Sequence, residues 1–190
     1  MEQNNLSPTR EFTDPQVSQL AACEAALALS KTHREKALQL LVSLSRQGDA
    51  TIRVRAAECM MEIGSDRAVM ELLDLCDDHN PRVRLTALGA LGVLRIHKAK
   101  GKITHIMRND PEISVRIIAA RTLGKLGSRA GILLIYQLLF SDNRYYHRLA
   151  VLSLHDIINQ RFSPTPEGIH SARRYLEINK YKFLPGEERE

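Results

Sequence analysis

An all-α fold, built as a stack of helical hairpins, is what this 190-residue sequence predicts, and three observations predict it. Apolar residues recur at spacings of three and four, the period of a helix with one buried face. No segment alternates apolar and polar residues for long enough to make a strand. One apolar code also returns at a near-constant interval. Its clearest copy is Ile113–Gly127, I-S-V-R-I-I-A-A-R-T-L-G-K-L-G, with Val115, Ala119, Ala120, Leu123 and Leu126 on the buried face. A second copy runs from Ile52-Arg53 with Ala56-Ala57 and Ile63-Gly64 in the corresponding places, and a third begins at Val83-Arg84. A degraded copy begins at Tyr146-His147, on Ala150, Leu154 and Ile157. The steps from 52 to 83, 83 to 115 and 115 to 146 are 31, 32 and 31 residues. One more step back, of about 31 residues, reaches Ala21 and sets Ala25-Ala26 where the paired alanines belong. Such a period with a fixed code marks a stacked repeat protein.

Each element follows from local signals. Residues 1–13 are polar and read as a loose lead-in to a single domain over 14–179. Asp14-Pro15 caps a helix that reaches about Ser30, and His33–Gln47 makes a second, closed by Gly48. Thr51–Ile63 carries the repeated code, and Ser65 caps a short helix on Val69, Leu72, Leu73 and Cys76. Asn80-Pro81 starts the next copy, to Leu94, with His97–Met107 after it. Asp110-Pro111-Glu112 is expected to open Pro111–Leu126: the Asp as cap, the Pro at the first position, the Glu in the first turn. Paired alanines in the middle of that helix predict a close neighbour, since little more than a methyl group fits. Ser128–Phe140, Arg144–Gln160 and a helix capped by Thr165-Pro166-Glu167 and ending near Asn179 complete the stack, and 180–190 reads as a tail. The unit is therefore a helix, a short turn and a second helix, repeated about five times. Each hairpin has more apolar surface than it can bury alone, so it must stack on its neighbours.

Composition bounds the function. A chain of this length is expected to bury roughly 70 per cent of its unfolded surface. No apolar run approaches the ~20 residues of a membrane span, and the polar N-terminus does not read as a signal peptide. Cys23, Cys59 and Cys76 form no C-x-x-C pair and no metal-ligand spacing, so a cytoplasmic, reducing location is expected. The net charge of +5 is mild, Trp is absent, and of the Phe and Tyr residues only Phe12 precedes Tyr136. The histidines share no i, i+4 metal pairing, and no Gly-rich phosphate loop opens a helix. No cofactor or metal is expected, and no catalytic residue can be assigned.

The pattern Val-Arg-x-x-Ala-Ala-x-x-Leu-Gly-x-Leu-Gly, following Asp-Pro and preceding a second apolar helix, resembles the HEAT-repeat family. It is closest to the short subtype of about 30 residues found in phycobilisome lyases and many bacterial adaptor proteins, and the resemblance spans about 15–178. It implies an α-solenoid of about five hairpins in which the repeated helix lines the concave side. It carries little about function, because the scaffold hosts many roles. The di-iron hydroxylases of this fold carry repeated His-Glu dipeptides, which are absent here.

Three sets of residues stand out. Arg53, Arg84 and Arg116 share one slot, each after a turn containing an acid (Asp49, Asp77-Asp78, Asp110); a ladder of Arg–Asp contacts between turns is preferred to a ligand site. His147 takes the same slot as a structural substitute. The run Arg95–Lys102 holds Arg95, Lys98, Lys100 and Lys102 at a helix junction, either as a solvated turn or as a contact for phosphate or an acidic partner. The third set is a stripe on the repeated helix: Val54, Glu58, Glu62; Leu85, Gly89, Val93; Ile117, Arg121, Lys125; Arg148, Leu152, Asp156. It predicts a groove running from acidic, through small and apolar, to basic. A nucleic-acid cradle needs a continuous basic track with stacking aromatics, so nucleic acid is disfavoured. A polypeptide partner suits the groove. The leading expectation is a non-enzymatic protein-binding scaffold; a bilin or tetrapyrrole lyase or chaperone-like factor, implied by the subtype, stands second, and a nucleic-acid-binding protein akin to the HEAT-like DNA glycosylases third. The oligomeric state is left open.

Overall fold

The computed structural model describes residues 14–183; the lead-in expected at 1–13 and the part of the tail from 184 onward lie outside the described residues. Among the described residues there are ten α-helices and no strand: α1 (Pro15–Leu29), α2 (Arg34–Gln47), α3 (Ala50–Ile63), α4 (Asp66–Leu75), α5 (Pro81–Val93), α6 (Lys100–Asn109), α7 (Ile113–Lys125), α8 (Ile132–Leu139), α9 (Arg144–Ile158) and α10 (Pro166–Phe183). A short 3₁₀ turn, His97–Ala99, precedes α6, and α10 continues into the stretch read as tail. The sequence caps behave as expected at Asp14, Ser65 and Asn80, whose side chains accept backbone N–H groups of the first turn, and Asp49, expected only as an acid beside the arginine slot, caps α3 in the same way. The opening of α7 differs. Asp110 does accept the Glu112 N–H at 2.9 Å, but its carboxylate is also gripped by Arg84, and the helix begins only at Ile113.

The first helices α3, α5, α7 and α9 end on a left-handed residue, Gly64 (φ 61), Arg95 (φ 53), Gly127 (φ 77) and Asn159 (φ 57), whereas α1 ends on a right-handed Ser30. At Gly127 the following Ser128 N–H bonds back to the Leu123 carbonyl at 2.8 Å, and Ile96 does the same to Leu91 at 3.0 Å. These bonds satisfy the orphan carbonyls and turn the chain sharply into the second helix.

The first helices form one continuous layer: α1 on α3, α3 on α5, α5 on α7 and α7 on α9. Among the second helices direct packing is slight, and it is greatest for α2 on α4 and α8 on α10. The layer that packs more closely must lie inside the bend, so the first helices line the concave side. Small residues set that closeness. A Cβ at Gly124 would stand 2.6 Å from the Asp156 carbonyl oxygen of α9, and one at Gly131 would stand 2.4 Å from the Ala120 Cβ. The neighbour predicted by the paired alanines is therefore the start of α8. The expected code residues Ile52, Ala56, Ala57, Val83, Val115, Ala119, Ala120, Leu123, Leu126, Ala150, Leu154 and Ile157 are all in the core. So are Cys59 and Cys76, whose thiols burial pushes up to about 11 and about 12.

The arginine slot forms two rungs, not three. Arg53 holds Asp78 through Nε–Oδ2 at 2.7 Å and Nη2–Oδ1 at 2.8 Å. Arg84 holds Asp110 in the same two-pronged way, both at 2.8 Å. Each rung reaches forward to the next turn, with both partners about nine-tenths buried. Asp49, one turn behind Arg53, instead accepts from Gln16 Nε2 at 2.9 Å. Arg116 departs from the expectation: no salt bridge among the described residues holds it, Asp142 in the next turn is exposed, and its Nε donates to the Met107 carbonyl at 3.1 Å. All four occupants of the slot do share one task. Arg53 donates to the Gly48 carbonyl, Arg84 to those of Asp78 and His79, Arg116 to that of Met107, and His147 Nε2 to that of Ser141. Each ties the end of the preceding second helix to the next first helix, which is why a histidine can substitute.

The C-terminal hairpins are closed by rings. Tyr136 and Phe140 stack with centroids 4.8 Å apart, Phe162 meets Tyr175 at 5.6 Å, and the Arg173 guanidinium lies 5.6 Å from the Phe140 ring. Arg173 Nε also donates to the Leu139 carbonyl at 2.6 Å, and the Tyr136 hydroxyl donates to Glu177. Tyr136, Tyr146, Phe162 and Tyr175 pack on the core, whereas Tyr145 and Phe140 remain exposed.

Candidate functional site: the concave helix layer

The concave face presents the positions two, five and nine residues after the arginine slot. On α3 these are Arg55, Glu58 and Glu62; on α5, Thr86, Gly89 and Val93; on α7, Ile118, Arg121 and Lys125; on α9, Leu149, Leu152 and Asp156. Leu85 also lines it, half-buried, and Val93 and Leu152 are exposed at 58% and 46%. Arg148 is exposed. Ile117 is a correction: it is fully buried, and Ile118 takes its place. The predicted stripe used two steps of four residues, which rotate by about 80° around a helix. On α7 that drift carries the first member into the core, whereas Val54 and Leu85 at the same place on α3 and α5 stay half-buried. The better centre is a step of three and then four, which picks out Arg55, Thr86, Ile118 and Leu149 and which the sequence reading missed.

The expected gradient of charge is largely cancelled from within. Arg55 bonds Glu24 at 2.6 Å and Glu58 at 2.9 Å, which pulls the Glu24 carboxyl below its ordinary range. Arg121 Nε bonds Asp156 at 2.5 Å across the α7–α9 seam. Glu58 and Arg121 therefore serve as ties within the layer, and Glu62, Lys125 and the exposed Arg148 are the predicted stripe charges in no salt bridge among the described residues.

Between α5 and α7 the layer opens into a shallow slot of about 330 Å³ lined by Leu85, Thr86, Gly89, Ile118, Arg121, Thr122 and Lys125. The two glycines of α5 have opposite roles. At Gly92 a Cβ would meet Thr122 Cγ2 at 3.2 Å and Lys125 Cδ at 3.3 Å, so this glycine brings the helices together. At Gly89 nothing lies within 4 Å. Both threonine hydroxyls are spent internally: Thr86 donates to the Arg82 carbonyl at 3.0 Å and Thr122 to that of Leu88 at 3.1 Å. The walls are consequently apolar.

The basic run does not form one patch. Lys102 is drawn to Asp77 on the neighbouring turn at 2.5 Å, and Lys100 is half-buried, while Arg95 and Lys98 are exposed on the turn after α5. Among the described residues no three His, Cys, Asp or Glu side chains converge as metal ligands, and no helix is long and apolar enough to cross a membrane.

This architecture is a stack of helical hairpins with an exposed inner helix layer, the form of a helical-repeat solenoid. Residues 41–102 match the family described as HEAT repeats, and residues 115–141 match the PBS lyase HEAT-like repeat. The chain thus resembles the HEAT-repeat family in both the middle and the later part of the stack. Among curated proteins, none matches the chain.

Proposed function

We propose that the protein is a non-enzymatic scaffold that holds a segment of a partner polypeptide along its concave helix layer. The observation carrying this reading is the slot between α5 and α7, an apolar opening in the middle of an otherwise tied surface. Exposed Val93 and Leu152 extend the apolar surface to either side, and a mixed apolar and charged face is the kind that polypeptides recognise. Helical-repeat surfaces serve protein interaction widely. The free, buried state of Cys23, Cys59 and Cys76 suits a reducing, cytoplasmic setting. The immobilised full chain should retain a partner from extracts of its source cell, and Val93→Asp with Leu152→Asp should lose it. Undiminished retention by the double variant would move the working surface elsewhere.

A second reading rests on the match of 115–141 to the PBS lyase HEAT-like repeat: a factor that handles a tetrapyrrole-carrying protein. Adding a linear tetrapyrrole to the purified chain should then shift the pigment's absorbance, and an unchanged spectrum would remove that reading.

A further inference from the structure

We infer that the slot at Gly89 is a seat for one large apolar side chain of the partner, and that this side chain is flanked by a carboxylate that Lys125 receives. The inference rests on the protein-binding reading above and specifies what the partner must present there.

The slot centres on a glycine that packing within the fold does not require. A glycine inside a helix destabilises it by about 0.5–1 kcal/mol relative to alanine. Gly124, Gly131 and Gly92 compensate by letting backbone or side chains approach where a Cβ would crowd them. Gly89 has no such neighbour: it lies mid-helix in α5, and a Cβ there would meet open space. Its missing side chain makes a depression in the surface instead of a contact. The space is useful only to something arriving from outside.

The walls state what that something is. Leu85 stands one turn before Gly89 on α5, and Ile118 and Thr122 face it from α7. Because both threonine hydroxyls already donate to backbone carbonyls, an incoming polar group would find no free donor from them, whereas an apolar group loses nothing on entering. A volume of about 330 Å³ is at the bottom of the ~300–1,000 Å³ range of ligand pockets. That suits one side chain better than an extended planar ligand. No aromatic ring lines the slot for a base or pigment to stack on.

Charge adds the second requirement. Arg121 is committed to Asp156. Lys125, in contrast, is in no salt bridge among the described residues, and its stem crosses to α5 against Gly92. A lone ammonium at the rim of an apolar slot favours an acidic residue beside the buried side chain, and disfavours a basic one through repulsion.

The test uses defined probes. Soluble twelve-residue Gly/Ser-based peptides carry Phe, Leu or Ala at the centre, flanked by Glu or by Lys, and are titrated into isotope-labelled full chain to millimolar concentration. The Phe and Leu peptides with Glu flanks should shift the Gly89 amide and the Leu85 and Ile118 methyl signals. They should bind about tenfold more tightly than the Ala or Lys-flanked versions. Gly89→Leu, which fills the seat where no atom stands within 4 Å, should abolish those shifts, and its circular dichroism and melting temperature establish that it is folded. Lys125→Glu should reverse the preference for flanking charge. Equal binding by Gly89→Leu, or no preference for an apolar centre, overturns the seat. Shifts confined to Val54, Leu149 and Leu152 would also overturn it but leave the concave layer as the binding face. Should no peptide move any signal of that layer, the seat and the scaffold reading fail together.

Discussion

The early hairpins and the late ones are fastened by different chemistry. From α3 to α7 the turns are joined by the Arg53–Asp78 and Arg84–Asp110 pairs, each two-pronged and buried. The second helices α2 and α4 add another buried carboxylate, Glu71, held by Arg46 at 3.0 and 2.8 Å and by Ser45 at 3.0 Å. Beyond α7 the ladder stops at Arg116. There the joints are the close approach of Gly124 to α9, the single-pronged and more exposed Arg121–Asp156 pair across the same seam, the ring contacts of Phe140, Tyr136, Phe162 and Tyr175, and Arg173 bonded to a carbonyl. The contrast teaches that a constant slot in the sequence need not carry a constant interaction. The carbonyl bond is kept in all four copies from α3 to α9, and the carboxylate partner is optional.

The largest effect is expected from the ladder. Asp78→Ala leaves Arg53 buried without its counter-charge and should lower stability by about 3–5 kcal/mol. Asp142→Ala, at the corresponding position of the missing rung, should change it by less than about 0.5 kcal/mol. Denaturant unfolding of both variants would collapse the contrast if their losses matched. At the late joint, Gly124→Ala drives a methyl group into the α9 backbone and should destabilise by about 1–3 kcal/mol. Gly89→Ala has the opposite sign, a gain of about 0.5–1 kcal/mol, because only helix propensity changes. Arg95 occupies a left-handed position that glycine fills at 64 and 127, so Arg95→Gly should raise stability by about 1 kcal/mol.

The smallest and sharpest test uses acid. Burial pushes the Asp78 carboxyl upward, but the Arg53 bonds and the Asn80 N–H more than offset it, leaving its pKa below the ordinary value. A depressed folded pKa means that the Asp78 contribution is present above the unfolded value near pH 4 and is lost as pH falls through the folded one. The stability gap between wild type and Asp78→Asn should therefore narrow on going from about pH 4 towards pH 2. A gap independent of pH would show that the rung stabilises by shape and not by charge.

Much of this was legible in the residues. The helices, their caps at Asp14, Ser65 and Asn80, and the buried code of each first helix follow from signals within a few residues of one another. What was not legible depends on distance. An acid stands both before and after each slot arginine, so the sequence does not tell that Arg53 and Arg84 reach forward to residues 25 and 26 positions away. The late start of α7 follows from the same choice, because Asp110 is shared with Arg84. Ile117 and Ile118 are adjacent isoleucines on a rotating helix, and only the packing on both sides of α7 decides which is buried. Gly89 and Gly92 read alike as letters; one closes a gap and the other leaves it open.

Five first helices lie side by side in the concave layer, α1, α3, α5, α7 and α9. Neighbouring helix axes pack about 8–10 Å apart, so four intervals span roughly 32–40 Å. An extended chain advances about 3.3 Å per residue and a helix about 1.5 Å. The layer is thus a ruler: it measures about ten to twelve residues of extended partner, or roughly six to seven turns of helix, with the Gly89 slot lying near the middle of the scale.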